Sequence, residues 1–193
     1  KQFDYLFIHI PKTGGISFKF NVLYNPHLTK KVAIYHKINY TPKANPEFDI
    51  FSENKKMFTL LREPYKTIIS SYFHFNHFLK MSLVDFCKKF QNIQTKFLLG
   101  YDIFSQCEVT NDDVNRIKKL IDKKNLTVGI HQTRKMLDIY NLLDLDHSLI
   151  DDYILNKKIG VSYRLKDISF ELKKIIKDQN KLDNHLYKYV LDS

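Results

Sequence analysis

Apolar residues along this chain follow two rhythms. Short unbroken runs alternate with stretches where they return every three or four positions, the marks of buried strands and amphipathic helices. The strand-like runs are Tyr5-Leu6-Phe7-Ile8-His9-Ile10, Lys31-Val32-Ala33-Ile34-Tyr35-His36, Lys56-Met57-Phe58-Thr59-Leu60-Leu61-Arg62 and Leu126-Thr127-Val128-Gly129-Ile130. Helices are predicted over 17–23 and after Pro64, a residue suited to a first turn, with Ile68, Ile69, Tyr72 and Phe73 along one side. Another is predicted over 83–90. Thr110-Asn111-Asp112-Asp113 caps a helix that carries Val114, Ile117, Leu120 and Ile121 on one face. Helical spacing returns over 133–143, 169–177 and 182–191. Strands alternating with helices predict an α/β fold in three layers, with a central parallel sheet of about four to five strands flanked by helices. No repeat, linker composition or low-complexity tract interrupts residues 1–193, so one domain is expected.

In such sheets ligands gather at the carboxyl ends of the strands. The chemistry-bearing residues fall there: Lys12 to Ser17 after the first strand, His36 after the second, Arg62 after the third, His131 after the fourth. Pro11 closes the first strand because it has no N–H to donate. Gly14 and Gly15 then permit a tight reversal, and a helix starting near Ser17 turns its unpaired N–H groups toward the same spot. Strand, glycine loop and helix start together make an anion cradle, to which Lys12 adds a full positive charge. A Walker-type loop does not fit. That motif puts its lysine after the glycines and follows it with a hydroxyl for magnesium, whereas Lys12 precedes them. A G-x-G-x-x-G dinucleotide motif is also absent.

Pro11-Lys12-Thr13-Gly14-Gly15-Ile16-Ser17 resembles the 5′-phosphosulfate loop of sulfotransferases that use 3′-phosphoadenosine 5′-phosphosulfate (PAPS). With His9-Ile10 in front it is similar to the form in carbohydrate sulfotransferases of the heparan sulfate 2-O- and 6-O-sulfotransferase type. Arg62-Glu63-Pro64 through Ser70, Ser71 and Tyr72 resembles the family's 3′-phosphate motif, although Lys66 or Thr67 stands where arginine is often found. Softer likenesses follow in Asn92-Ile93-Gln94-Thr95-Lys96, in Val128-Gly129-Ile130, and in Asn180, Asp183, Leu186, Tyr187 and Tyr189. His131-Gln132 replaces the family's usual Thr-Glu. The resemblance implies a P-loop-like fold. It also implies that Lys12, Thr13, Gly14, Gly15, Ile16 and Ser17 hold the 5′-phosphosulfate, and that Arg62 and Ser70 hold the 3′-phosphate. No metal is required, since Lys12 can neutralise the leaving phosphate, and 3′-phosphoadenosine 5′-phosphate (PAP) is the product. The implied acceptor is a carbohydrate hydroxyl, and the implied base is His36, after the second strand. His9 competes for that role but lies within a buried strand. His74 and His77 read as structural or acceptor-lining, and Glu47, Asp49 and Glu53 remain further candidates.

The net charge of +10 favours an anionic nucleotide and an anionic acceptor. No nucleic-acid motif accompanies it. No apolar run approaches the roughly 20 residues that cross a bilayer. The expected location is the cytoplasm for a bacterial chain, or the Golgi lumen or a membrane tether where an anchor precedes Lys1. Cys87 and Cys107 form neither a disulfide framework nor a metal pattern, and a single bridge between them stays open. Two other functions compete: a kinase-like phosphotransferase that uses ATP and magnesium, and a non-catalytic protein that binds PAP. A hydroxylated lipid or a tyrosine remains an alternative acceptor.

Overall fold

Each strand has two apolar faces to bury. Leu6, Ile8 and Ile10 alternate with Phe7, and Met57 and Leu61 with Phe58 and Leu60, and all of these are buried. A strand of that kind needs cover on both sides. The computed structural model describes residues 3–18, 26–35, 50–51, 54–101, 106–147 and 168–193, and in it the four strands form one all-parallel sheet. These are β1 (Tyr5–Ile8), β2 (Val32–Tyr35), β3 (Lys56–Leu61) and β4 (Leu126–Ile130). Their order across the sheet is β2-β1-β3-β4.

The helices follow in chain order: α1 (Gly15–Phe18), α2 (Pro26–Thr29), α3 (Pro64–Leu79), α4 (Leu83–Lys89), α5 (Ile93–Leu98), α6 (Asn111–Asp122), α7 (Leu137–Leu142), α8 (Phe170–Gln179) and α9 (Lys181–Asp192). On one face of the sheet Leu6, Ile8, Met57, Leu61 and Val128 pack with Ile68 and Ile69 of α3, Phe86 of α4, Phe97 of α5, Ile117 of α6, Ile176 of α8 and Leu186 of α9. On the other face Phe7, Phe58 and Leu60 meet Phe18 of α1, Leu28 of α2 and Ile139 and Tyr140 of α7. Phe7 stacks on Phe58 with ring centres 5.1 Å apart.

Three details differ from the sequence pattern. The first helix starts at Gly15, two residues earlier than expected. Phe73, placed on the apolar side by its spacing, is 39% exposed, and Phe75 is buried in its stead. The helix expected over 133–143 opens as a 3₁₀ turn, Arg134–Met136, with Thr133 at its N-cap. Thr133 Oγ1 accepts from the Lys135 N–H and donates to the Ile130 carbonyl at 2.9 Å, which draws the chain tightly round the end of β4. Among the described residues no helix is long and apolar enough to cross a membrane.

The strand order decides where a ligand can enter. From β1 the chain crosses to β2 on one side, then returns past β1 to β3 on the other. Beyond the carboxyl ends of β1 and β3 the connections therefore diverge, and in open α/β sheets such a switch point is where ligands bind.

Candidate functional site

The loop after β1 is held open by its own turn. Thr13 Oγ1 donates to the Ile10 carbonyl at 2.8 Å, and Thr13 is fully buried. Its hydroxyl is thus spent on the turn, leaving only its backbone for any ligand. Lys12 takes a left-handed conformation, φ 66°, and Gly14 has φ 91°. A Cβ on Gly14 would stand 2.2 Å from Nδ1 of His131, and one on Gly15 would stand 2.1 Å from Cδ2 of His9. The glycine pair therefore passes between two imidazoles. His9 is buried and stacks on Phe7, so it packs the loop from behind. Ile16 is 61% exposed, and Ser17 lies within α1.

Arg62 follows β3, and its Nη1 donates to the Lys12 carbonyl at 3.2 Å. The two motifs that stand apart in the sequence thus meet beyond the carboxyl ends of β1 and β3. Partial burial, chiefly, and the neighbouring guanidinium hold the Lys12 ammonium below its ordinary pKa. Neighbouring cations repel each other, and bound anions relieve that repulsion. Lys66, at the position that departs from the family motif, is tied to Glu63 at 2.7 Å.

Ser70 lies buried in α3. One turn further, at a spacing that shares its face, is His74. Partial burial lowers the pKa of His74, and so do the charges of Lys12 and His77. That side of α3 is therefore within electrostatic reach of the loop. His131 lies against Gly14, and its pKa is pushed down to about 4 by burial first, then by Arg62 and Lys66. His36, Glu47, Asp49 and Glu53 lie outside the described residues.

The soft motifs prove to be the support of Arg62. Gln94, in α5 and buried, accepts from the Arg62 N–H and donates to the Arg62 carbonyl, both at 2.9 Å. Gln94 and Thr95 in turn donate their backbone N–H groups to the two carboxylate oxygens of Asp183, at 3.0 and 2.8 Å, and the Thr95 hydroxyl adds a third bond at 2.6 Å. Asn92 and Asn180 bond across the same junction. Burial pushes the Asp183 carboxyl above its usual range, while these donors pull the other way. In the sequence, a family resemblance singles out Asn92, Gln94, Thr95, Asn180 and Asp183 without disclosing that Gln94 grips an arginine's backbone while the others bond among themselves.

Cys87 is buried and Cys107 exposed, and both are free thiols. No family model, curated protein or solved structure matches the chain.

Proposed function

We propose that this chain is a sulfotransferase that moves the sulfuryl group of PAPS to a carbohydrate hydroxyl, on an α/β fold of the P-loop-like kind. The observation that carries the proposal is the contact between Arg62 and the Lys12 carbonyl, at the switch point where the crossovers diverge. Two cations from separate strand ends suit a donor with charge at both ends of its ribose. The residues fit that donor. Lys12 and the backbone of Thr13, Gly14, Gly15, Ile16 and Ser17 would hold its 5′ end, and Arg62 with Ser70 its 3′-phosphate. Bound there, PAPS supplies an activated sulfuryl group.

Lys12 stabilises negative charge growing on the leaving phosphate oxygen, an effect larger in the transition state than before it. Gln94 keeps Arg62 at its post. His36 takes the proton of the acceptor hydroxyl. Its sequence neighbour Tyr35 ends β2 in register with Ile8 of β1, and the Tyr35 carbonyl accepts from the His9 N–H at 2.9 Å. The basic charge of the chain suits an anionic polysaccharide as acceptor.

A thermal-shift comparison of PAP, ATP with magnesium, and AMP tests the donor class, and sulfate transfer from PAPS to oligosaccharides tests the reaction. PAP should stabilise the protein selectively. Lys12→Ala should remove most turnover, and Arg62→Ala should chiefly weaken PAP binding. Stabilisation by ATP with magnesium and none by PAP would make the protein a phosphotransferase. PAP binding without transfer to any acceptor would make it a non-catalytic binder.

A further inference from the structure

His131 stands at the junction of three elements. Its backbone N–H donates to the Leu61 carbonyl at 2.7 Å, one residue before Arg62. Gln132 turns away with φ 60°, and Thr133 ties back to the Ile130 carbonyl through both its N–H and its hydroxyl. The residue is thus pinned on both sides. Its ring rests on Gly14, with Nδ1, Cε1 and Cγ all within 2.7 Å of where a Cβ would stand. Charged groups acting on it include Arg62 from the end of β3 and Lys66 from the first turn of α3. Glu63 pairs with Lys66. This is a histidine set among cations, against the glycine of an anion loop.

We propose that His131 is a third, proton-dependent cation of the donor site: neutral without a ligand, it takes up a proton when an anion binds in the loop beside Lys12. This rests on the anion site proposed above, and it adds a ligand group that the family motif does not supply, since Thr-Glu is usual at this position. The physical reasoning is short. Arg62 keeps its charge at any accessible pH, whereas imidazole is the side chain that ordinarily changes charge near neutrality. Burial and the neighbouring cations disfavour imidazolium without a ligand, and its pKa is about 4. An opposite charge within about 4–6 Å raises such a pKa by roughly 1–3 units. Linkage is reciprocal: if the anion strengthens proton binding, the proton strengthens anion binding by the same factor. Affinity should therefore rise as pH falls from 7.5 toward 5.5.

The test uses adenosine 5′-phosphosulfate and inorganic sulfate, because neither probe changes charge between pH 5 and 8. Calorimetry at pH 5.5 and 7.5, in buffers of different ionisation enthalpy, reads affinity and proton uptake together. For a rise of about two units in the His131 pKa, the wild type should bind about fourfold more tightly at the lower pH and take up part of a proton. His131→Gln and His131→Asn should lose both effects. His74 also titrates near Lys12, so the difference between wild type and variants is the deciding quantity. Equal pH dependence and proton uptake in wild type and variants would overturn the proposal, as would a wild type without pH dependence, or one that binds neither probe. His131-dependent binding of sulfate, with the nucleotide bound no better than sulfate, would uphold the role of His131 and reject the PAPS reading. Should both variants fail to fold, the ring Cε1–H signal of wild-type His131 decides. Its titration midpoint should rise by at least one pH unit with sulfate, and an unmoved midpoint would refute the assignment.

Discussion

Gly14 answers two demands at one position. Its φ of 91° lies where L side chains rarely go, and the space a side chain would fill belongs to the His131 ring. Gly14→Ala should therefore cost about 1–3 kcal/mol in backbone strain and displace His131. The expected result is a lower urea midpoint together with at least tenfold weaker sulfate binding. Gly15→Ala should instead push on His9 and the Phe7 stack, so it should lower the midpoint with a smaller effect on the anion. The glycine pair was legible in the sequence as a loop after a strand. The reason for each glycine was not, because the imidazoles that crowd them arrive from the end of β4, two strands away, and from the residue after β1. Thr13 shows the same limit. Its place in the motif is plain, but only the structure reveals a hydroxyl turned inward to Ile10.

At the scale of elements, α5 and α9 act as a buttress for the residue after β3. Buried polar groups are tolerable only when paired, and here Gln94 pairs with Arg62, and Asp183 with Gln94 and Thr95. Gln94→Leu strips the Arg62 N–H and carbonyl of these partners at once, at a cost of about 1–3 kcal/mol for each group left buried and unsatisfied. Asp183→Asn sets an amide against three donors and should destabilise by a similar amount. Denaturant titration of both variants checks the cost. Calorimetry of Gln94→Leu with PAP should show weaker binding, although Gln94 itself meets Arg62 only through the backbone. The helices themselves follow from apolar spacing and from caps such as Thr110, whose hydroxyl and Asp113 partner form the expected N-terminal pairing of α6. The 92–100 segment lacked such a signal as a helix. Its residues are buried and polar by turns, and their partners lie far away in the sequence.

For the whole molecule, alternating strands and helices were enough to predict a parallel sheet, and the rule about strand ends was enough to collect Lys12, Arg62 and His131. Strand order was not legible, because nothing local tells β3 to pair with β1 in preference to β2. That order creates the switch point. The surroundings of His131 also set a pH dependence on the entire fold. The pKa of His131 is depressed from 6.5 to about 4, so the unfolded chain binds its proton more readily than the native one. The stability tied to this residue is complete above pH 6.5 and is lost progressively as pH falls toward 4, by roughly 3 kcal/mol. Melting temperatures at pH 7.5 and 5.0 should diverge in the wild type and converge in His131→Gln. Finally, the Gln94–Asp183 junction has a bearing on biosynthesis. A ribosome releases the glycine turn early and the carboxylate that steadies the arginine's neighbours only much later. A nascent or prematurely terminated polypeptide ending before Asp183 would carry every group assigned to the donor and still hold it poorly.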